Sequence, residues 1–330
     1  MAYAKEVLHR AEARLDEARR QNDLDCDRRI SAIYEKLPRL REIDRELRKT
    51  SAKVYAAAFR GSESPEQAMQ TLRQENLSLQ RERDWILESE NIDPEDLERE
   101  PVCKLCGGSG WRGAAMCECL RELCRQEQKK VLMQAFGAGK ESFEKFRLDV
   151  YPERIDPKLG ISPQALMKRV YESAVSYTKT FSEGSDSLLF MGATGLGKTF
   201  LSGCIARAVA DKGYSVCYVS AGKLFSDFET EKFRLKEDGA LTGEYMETDL
   251  LIIDDLGTEM TTQFTVSALY QVVNGRLLSG RPTIVSTNLP DSELEARYSA
   301  QIASRLLGAY TLYQFCGTDV RLLKKMESRM

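Results

Sequence analysis

The chain has 330 residues, a formal net charge of −3 and 30% charged residues, and a chain of this length is expected to hold about two domains. The slight negative charge disfavours binding of nucleic acid by the whole surface, so any such contact must come from a local patch. No stretch approaches the ~20 apolar residues of a membrane helix, and the N-terminus lacks the apolar core of a signal peptide. We therefore expect a cytoplasmic protein with no membrane partner.

Residues 1–100 are rich in Glu, Arg, Lys, Leu and Ala, and their apolar side chains recur at helical spacing. Pro38 is predicted to divide the first helical run because proline lacks a backbone N–H. A second helix is predicted to follow Ser64 as its N-cap and to end near residue 89, before a short third helix at Asp93. Such amphipathic helices serve either as a solvated spacer or as a hairpin that docks on a protein partner.

Four cysteines follow with the spacing Cys103-x2-Cys106-x10-Cys117-x-Cys119, and glycines between them allow tight turns. A tetrahedral zinc ion takes four thiolates at about 2.3 Å, and a C-x2-C pair suits two of them. Because so short a segment buries little apolar surface, we expect a zinc knuckle that the metal stabilises. Cys124 is an alternative ligand, and free thiols or a redox pair are the competing interpretations.

The single histidine and the remaining cysteines argue against histidine-dependent sites and against disulfides. His9 is the only histidine, which argues against histidine-dependent catalytic triads and histidine-rich metal sites. Nine cysteines without an export signal indicate thiols or metal ligands rather than disulfides. Outside the cluster and Cys124, we expect the cysteines to be small buried hydrophobes: Cys26, Cys204, Cys217 and Cys316.

From residue 187 onward, apolar strand-like runs alternate with helical patterns. The runs are SLLFM, YSVCYVS, DLLIID, PTIVST and YTLYQF. Strands separated by helices predict an α/β fold with a parallel sheet flanked by helices.

A phosphate-binding loop follows the first of these strands. Its motif, G-x-x-x-x-G-K-[ST], lets backbone N–H groups surround phosphate oxygens at the N-terminus of a helix. Lys198 is expected to reach the β- and γ-phosphates of ATP, and the Thr199 hydroxyl to ligate Mg²⁺. The expected nucleotide-binding residues are Gly192, Ala193, Thr194, Gly195, Leu196, Gly197, Lys198, Thr199 and Phe200.

Polar side chains end two later strands of the predicted sheet. Asp254, at the end of LLIID, is expected to hold Mg²⁺ through water. Asp255 is a candidate to orient the attacking water, and Glu259 is a rival or additional acid that length alone does not exclude. Asn288 follows PTIVST and is expected beside the ligand crevice, where it contacts the γ-phosphate or the water. A turn-forming role is the competing interpretation for Asn288.

The ordered motifs GATGLGKT, LLIIDDLGTE, LYQVVNGRLLSGRPTIVSTNL, YSAQIASRLLG and FCGTDVRLLKK closely resemble the AAA+ ATPases of the DnaC/DnaI replicative helicase-loader group. That group is related to the transposition helper IstB and to the initiator DnaA. The resemblance begins near residue 141, where ESFEKFRLDVYPE is similar to the phenylalanine-rich segment that leads into the ATPase domain. The cysteine cluster also resembles the zinc element that precedes the ATPase in DnaI-like loaders.

This resemblance implies an AAA+ fold and roles for two arginines. Arg305 is similar to an arginine finger, which completes the ATP site of a neighbouring subunit and so requires a homo-oligomer. Arg321 resembles the sensor 2 arginine. Gln301 stands where the family often has an additional arginine, so a two-arginine arrangement is not expected. Surface or structural roles are the competing interpretations for both arginines.

With composition, the resemblance divides the chain into a helical partner-binding region (1–100), a zinc element (101–125), a helical linker (126–160) and an AAA+ ATPase domain (161–330). It implies a slow, regulatory ATPase that binds the replicative DNA helicase and helps load it on single-stranded DNA. The alternatives are an IstB-type transposition helper and a nucleotide-gated module without turnover. The basic residues considered for DNA contact are Arg276, Arg281, Lys324 and Lys325.

Overall fold

The computed structural model of the chain describes residues 3–59, 65–136, 141–157, 159–233 and 240–322. These residues form two compact units. One unit comprises Met1–Glu12 with Glu118–Met330, and the other comprises Ala13–Cys117. Among the described residues, no helix combines the length and the apolar character needed to cross a membrane.

The unit Ala13–Cys117 is mainly helical. Leu37 alone separates helix α1 (Lys5–Lys36) from helix α2 (Pro38–Phe59), so the predicted division at Pro38 is confirmed. Helix α3 (Pro65–Ser89) ends at the predicted residue, whereas its predicted cap, Ser64, lies outside the described residues. The short third helix is also confirmed, because the Asp93 side chain accepts from the Glu95 N–H at the start of the 3₁₀ turn Pro94–Leu97.

Buried apolar side chains hold α2 against α3. The core of this unit consists of Leu40, Ile43, Ile86, Leu87 and Leu97. A hairpin of two short strands, β1 (Trp111–Arg112) and β2 (Ala115–Met116), closes the cysteine-rich segment.

The other unit contains the predicted parallel sheet. Its strands are β3 (Leu188–Met191), β4 (Val216–Ser220), β5 (Leu250–Leu256), β6 (Thr283–Thr287) and β7 (Thr311–Gln314). Within the described residues their order is β4-β5-β6-β3-β7, and every pairing is parallel. Its helices are α4 (Glu118–Ala135), α5 (Pro163–Thr180), α6 (Lys198–Asp211), α7 (Ala221–Phe233), α8 (Ala240–Glu247), α9 (Gln263–Leu278), α10 (Asp291–Tyr298) and α11 (Ala300–Ala309), and a 3₁₀ turn spans Phe143–Lys145.

Helices cover both faces of this sheet. Because successive side chains of a strand point to opposite faces, Leu189 and Met191 pack with α7, α9, α10 and α11, whereas Leu188 and Phe190 pack with α5 and α6. Strands buried on both faces are typical of parallel sheets. The predicted fold class, a parallel sheet flanked by helices and preceded by a helical region, is confirmed.

Candidate functional site

The phosphate-binding loop connects β3 to α6 and depends on glycine at close approaches. A Cβ atom at Gly192 would lie 2.5 Å from the Phe315 carbonyl oxygen, which the backbone cannot accommodate. Gly197, the N-cap of α6, has φ 96°, a left-handed conformation that glycine adopts without strain. The loop therefore presents the N-terminus of α6 to the carboxyl end of the sheet, where helix N–H groups attract anions.

Lys198 contacts both the phosphate-binding loop and the residue that follows β6. Its ammonium Nζ donates to the carbonyl oxygens of Gly192 at 2.6 Å and Ala193 at 2.9 Å. It also donates to Asn288 Oδ1 at 2.6 Å, so a loop residue and a β6-end residue predicted separately lie together. Burial lowers the pKa of Lys198 from its ordinary value, while the negative charges of Asp255 and Asp254 oppose that shift.

The acids at the end of β5 occupy different environments. Asp254 is 2% exposed, and its two carboxylate oxygens accept from the hydroxyls of Ser286 and, at 2.7 Å, Tyr218. Asp255 lines the cavity beside the phosphate-binding loop. Burial, followed by the negative charge of Asp254, raises the pKa of Asp255.

Glu259 is directed elsewhere. Its Oε2 accepts from the Gly257 N–H at 3.0 Å, and its Oε1 accepts from the Tyr298 hydroxyl. Asp255 lines the cavity beside the phosphate-binding loop, whereas Glu259 borders a separate, open depression with Met260 and Arg297.

The cavity beside the loop has a volume of about 180 Å³. Several of the predicted site residues line it: Thr194, Gly195, Leu196, Gly197, Lys198, Thr199, Phe200, Asp255, Asn288 and Arg321. The Thr199 hydroxyl in this cavity and the Asp254 carboxylate beside it are hard oxygen donors of the kind that Mg²⁺ prefers, so the residues present fit this ion.

One wall of the cavity is apolar, and apart from Phe200 its residues were not predicted from the sequence. Phe146, Val150, Tyr151 and Val320 complete this wall with Phe200. The Phe146 ring centroid lies 6.0 Å from that of Phe200, and the Tyr151 hydroxyl donates to the Leu196 carbonyl at 2.9 Å. The aromatic residues in the segment FEKFRLDVY were visible in the sequence. Their spacing does not show which rings face a ligand.

Arg305 lies on α11 and makes its contacts with α9. Its Nε donates to Asn274 Oδ1 at 2.9 Å, and its Nη2 donates to the Tyr270 hydroxyl at 3.1 Å. The guanidinium stacks 4.7 Å from the Tyr270 ring centroid, and Nη1 donates to the Gln301 carbonyl at 3.0 Å. It is not among the described residues that line the cavity beside the phosphate-binding loop.

The four clustered cysteines lie together. Their Sγ atoms are within 4.8 Å of one another, and those of Cys103 and Cys117 are 3.9 Å apart. Four sulfurs at about 2.3 Å from a tetrahedral zinc ion lie about 3.8 Å apart, so this arrangement fits zinc. The Gly110 N–H donates to Cys106 Sγ at 3.3 Å. Cys124, the alternative ligand, is buried in α4 and does not belong to this group of four.

Two other sequence-based expectations change. Arg276 is fully buried and donates to the carbonyl oxygens of Tyr245, Thr248 and Pro282, so the idea that it contacts DNA is wrong. Its guanidinium supplies hydrogen bonds to carbonyl groups at strand and helix ends. Two other candidates for DNA contact, Lys324 and Lys325, lie outside the described residues. Of the cysteines expected to be buried, Cys26 and Cys204 are, whereas Cys217 and Cys316 are partly exposed.

Comparison with known proteins places the ATPase-like region in a family. The profile of the family described as IstB-like ATP binding protein matches residues 165–312. The replicative helicase loader DnaC of Escherichia coli is 26% identical over 135 residues, which are 40% of this chain and 55% of the loader. A Mycobacterium tuberculosis protein, named for ATP binding and for its place in an insertion sequence, is 26% identical over 106 residues, 32% of this chain and 42% of that protein.

The chain thus spans about half the length of the curated relatives it matches. Among solved structures, that of the DnaC helicase loader aligns with a TM-score of 0.46 and 17% identity, over 54% of this chain and 98% of that one.

Proposed function

We propose that this chain binds ATP with Mg²⁺ and hydrolyses it slowly, because residues 165–312 match the family described as IstB-like ATP binding protein. We further propose that it loads the replicative DNA helicase on single-stranded DNA in the cytoplasm. The observation that carries the proposal is the meeting of Lys198 with Asn288, beside Asp255, at the carboxyl end of the sheet.

In this proposal the cavity holds the nucleotide. The base packs on Phe146, Tyr151 and Phe200, and the phosphates lie along the loop of residues 192–199. Thr199 and Asp254 would hold Mg²⁺, which would neutralise phosphate charge.

The polar residues of the cavity then divide the remaining work. Asp255, rather than Glu259, orients the attacking water, because its carboxylate lines the cavity while Glu259 is bound to Gly257 and Tyr298. Asn288 and Arg321 contact the γ-phosphate.

We propose that Arg305 acts on the ATP of a neighbouring subunit in a homo-oligomer. It lies on α11 and is not among the described residues that line the chain's own cavity, which supports action on another copy of the chain. Tyr270 and Asn274 hold the guanidinium in one orientation, which reduces the entropy that it loses on contact with a phosphate.

The helical region of residues 1–100 is proposed to bind the helicase, and the four cysteines (Cys103, Cys106, Cys117 and Cys119) to hold zinc between this region and the linker of residues 126–160. Support comes from α3, where Trp85 is 68% exposed and Leu77 is 44% exposed. Exposed aromatic side chains are enriched at protein interfaces.

The test is retention of the replicative helicase by the immobilised full-length chain, with zinc measured in the same sample. We expect Trp85→Ala to reduce retention by about tenfold, since interface aromatics contribute about 1–2 kcal/mol or more. Leu278→Ala, which changes a side chain that is 81% exposed on α9, is the matched control and should retain the helicase. Equal retention by both variants would place the helicase elsewhere on the chain.

Loading is tested separately. With ATP, the full-length chain should increase helicase unwinding of a forked substrate, and Lys198→Ala should not. Absence of stimulation by the parent chain would remove the loader proposal while leaving ATP binding intact.

A second candidate is a transposition helper that engages duplex DNA and a transposase. The family description and the Mycobacterium tuberculosis relative in an insertion sequence favour it. Binding of duplex DNA in preference to single-stranded DNA, with no retention of the helicase, would select this function. Nucleotide binding without measurable hydrolysis would instead select a nucleotide-gated module.

A further inference from the structure

The pairing of β5 with β6 is interrupted where the two acids lie. Ile253 pairs with Val285 and Leu256 pairs with Thr287, so two residues of β5 oppose one residue of β6. The two residues are Asp254 and Asp255, and the single opposing residue is Ser286. This is the geometry of a β-bulge, which redirects side chains and is common beside active sites.

The bulge places Asp255 in an unusual backbone conformation. Its φ is 54°, in the left-handed region that non-glycine residues seldom adopt. A residue held there persists only when surrounding contacts fix it. Two side chains hold the Asp255 backbone: its N–H donates to Ser286 Oγ at 2.9 Å, and its carbonyl accepts from the Thr258 hydroxyl at 2.9 Å.

The same hydroxyl also contacts the other acid. Ser286 Oγ donates to Asp254 Oδ1, so one oxygen accepts from the backbone of Asp255 and donates to the side chain of Asp254. A serine hydroxyl can do both at once. Ser286 is fully buried, so water does not replace either bond.

The second carboxylate oxygen of Asp254 is held by β4. The Tyr218 hydroxyl donates to Asp254 Oδ2 at 2.7 Å. Two hydroxyls from the strands on either side of β5 therefore fix the rotation of one carboxylate.

A second buried serine, at the opposite end of the sheet, provides a comparison for Ser286. Ser215 is 1% exposed, and its Oγ accepts from the Asp249 N–H at 2.9 Å, just before β5 begins. It forms the same class of backbone bond as Ser286, but its hydroxyl contacts Thr248 rather than an acid of the cavity.

We propose that Ser286 is a positioning residue for the magnesium–nucleotide site, which it serves by setting Asp254 and Asp255 together, with Tyr218 as its partner on Asp254. The inference rests on the proposed nucleotide function and extends it to two residues that touch neither phosphate nor metal. Ser286 stabilises the bulge that turns Asp255 into the cavity, and the two hydroxyls aim the Asp254 carboxylate.

The test is nucleotide affinity of the full-length chain, measured by fluorescence of a labelled ATP during Mg²⁺ titration and again in EDTA. Ser286→Ala should raise the Mg²⁺ concentration for half-saturation by about tenfold, as expected for a lost hydrogen bond to a charged group. Its affinity in EDTA should stay within about twofold of the parent, because the phosphate-binding loop is unchanged. Tyr218→Phe should shift the Mg²⁺ requirement in the same direction.

Ser215→Ala is the matched control. It removes an equally buried serine hydroxyl, so its melting temperature should fall by a similar amount, but its Mg²⁺ requirement should stay within about twofold of the parent. If Ser286→Ala and Tyr218→Phe both keep the parental Mg²⁺ requirement, the inference is overturned. Tyr218→Phe keeps the ring, so it decides the question if Ser286→Ala does not fold.

Failure of the proposed function has a different signature. If the parent binds no nucleotide in either condition, a thermal double-mutant cycle between Ser286→Ala and Asp254→Asn still measures the contact. Coupling between these two changes would show that Ser286 orients the Asp254 carboxylate even without nucleotide binding, and additive effects would overturn this part of the inference.

Discussion

The cysteine cluster and the nucleotide cavity are built in opposite ways. All four cysteines lie within residues 103–119, so a short turn-rich segment brings them together. The residues that line the cavity extend from Lys145 to Arg321, and the order β4-β5-β6-β3-β7 brings them together. A local site is visible in a linear motif, whereas a site made by a sheet depends on packing far along the chain.

The two sites also draw stability from different sources. The cysteine segment has few buried apolar side chains, so its order is expected to come from the metal. The cavity sits on a sheet whose three central strands, β5, β6 and β3, are buried on both faces. Loss of one ligand should therefore abolish the first site, whereas single changes should weaken the second by degrees.

The largest expected effect is on zinc. Cys117→Ser should reduce zinc from one ion per chain to almost none, because binding worth ~10–16 kcal/mol depends on a complete set of thiolates. Colorimetric zinc release after denaturation measures the loss. Cys124→Ser is the control and should keep its zinc, since burial raises the pKa of Cys124 to about 11 and disfavours a thiolate. Loss of zinc from both variants would make Cys124 a ligand.

The next effect is on hydrolysis between subunits. Arg305→Ala should lower kcat by about 10³-fold, or ~4 kcal/mol, with unchanged ATP affinity, because a finger acts on the transition state of a neighbour. Mixing Arg305→Ala with Lys198→Ala should restore part of the activity, since each subunit supplies what the other lacks. Arg207→Ala, which changes an exposed arginine on α6, should keep parental kcat. No recovery on mixing would contradict action in trans.

A smaller effect is expected on nucleotide binding. Lys198→Ala should weaken ATP affinity by about 100-fold, or ~2.7 kcal/mol, because a buried cation at the phosphates is lost. Equilibrium titration with labelled ATP measures it. Lys212→Ala changes a lysine whose Nζ donates to the Lys179 carbonyl at 2.5 Å, and its affinity should equal that of the parent. Parental affinity in Lys198→Ala would remove the phosphate-loop assignment.

The contrast between the sites also explains what the sequence predicted. The cysteine spacing, the phosphate-binding loop and the strand-end acids are each written in consecutive residues. Alternating strand-like and helical runs predicted the parallel sheet, and Pro38 marked a helix boundary. These features depend on local geometry, which short motifs specify.

The rest required the folded chain. Periodicity places Asp254 and Asp255 on a strand but does not reveal the bulge opposite Ser286, and so it left Asp255 and Glu259 as equal candidates. A charged residue in a helix is expected to be solvated, yet Arg276 is buried among carbonyl groups. Which aromatic rings face the cavity also depends on packing between segments distant in the sequence.

The smallest expected effect is on the pH dependence of stability, through the buried carboxyl group of Asp255. Burial, and then the charge of Asp254, raise the folded-state pKa of Asp255 above its ordinary value of 3.8. The folded chain therefore holds this proton more tightly than the unfolded chain does. The resulting stabilisation is fully present below the unfolded-state pKa and is lost as the pH rises through the folded-state pKa.

Asp255→Asn removes this titration and keeps a residue that tolerates the left-handed φ. We expect its melting temperature to exceed that of the parent by about 1–3 °C at neutral pH. The gain is small because solvent screens the Asp255 charge and because the domain is large. The difference in melting temperature should shrink as the pH falls towards the ordinary pKa of an aspartate. Asp149→Asn is the control of opposite sign, since Arg147 lowers the pKa of Asp149, and it should give no gain at neutral pH. A gain for Asp255→Asn that does not vary with pH would mean that relief of packing, rather than of charge, stabilises the variant.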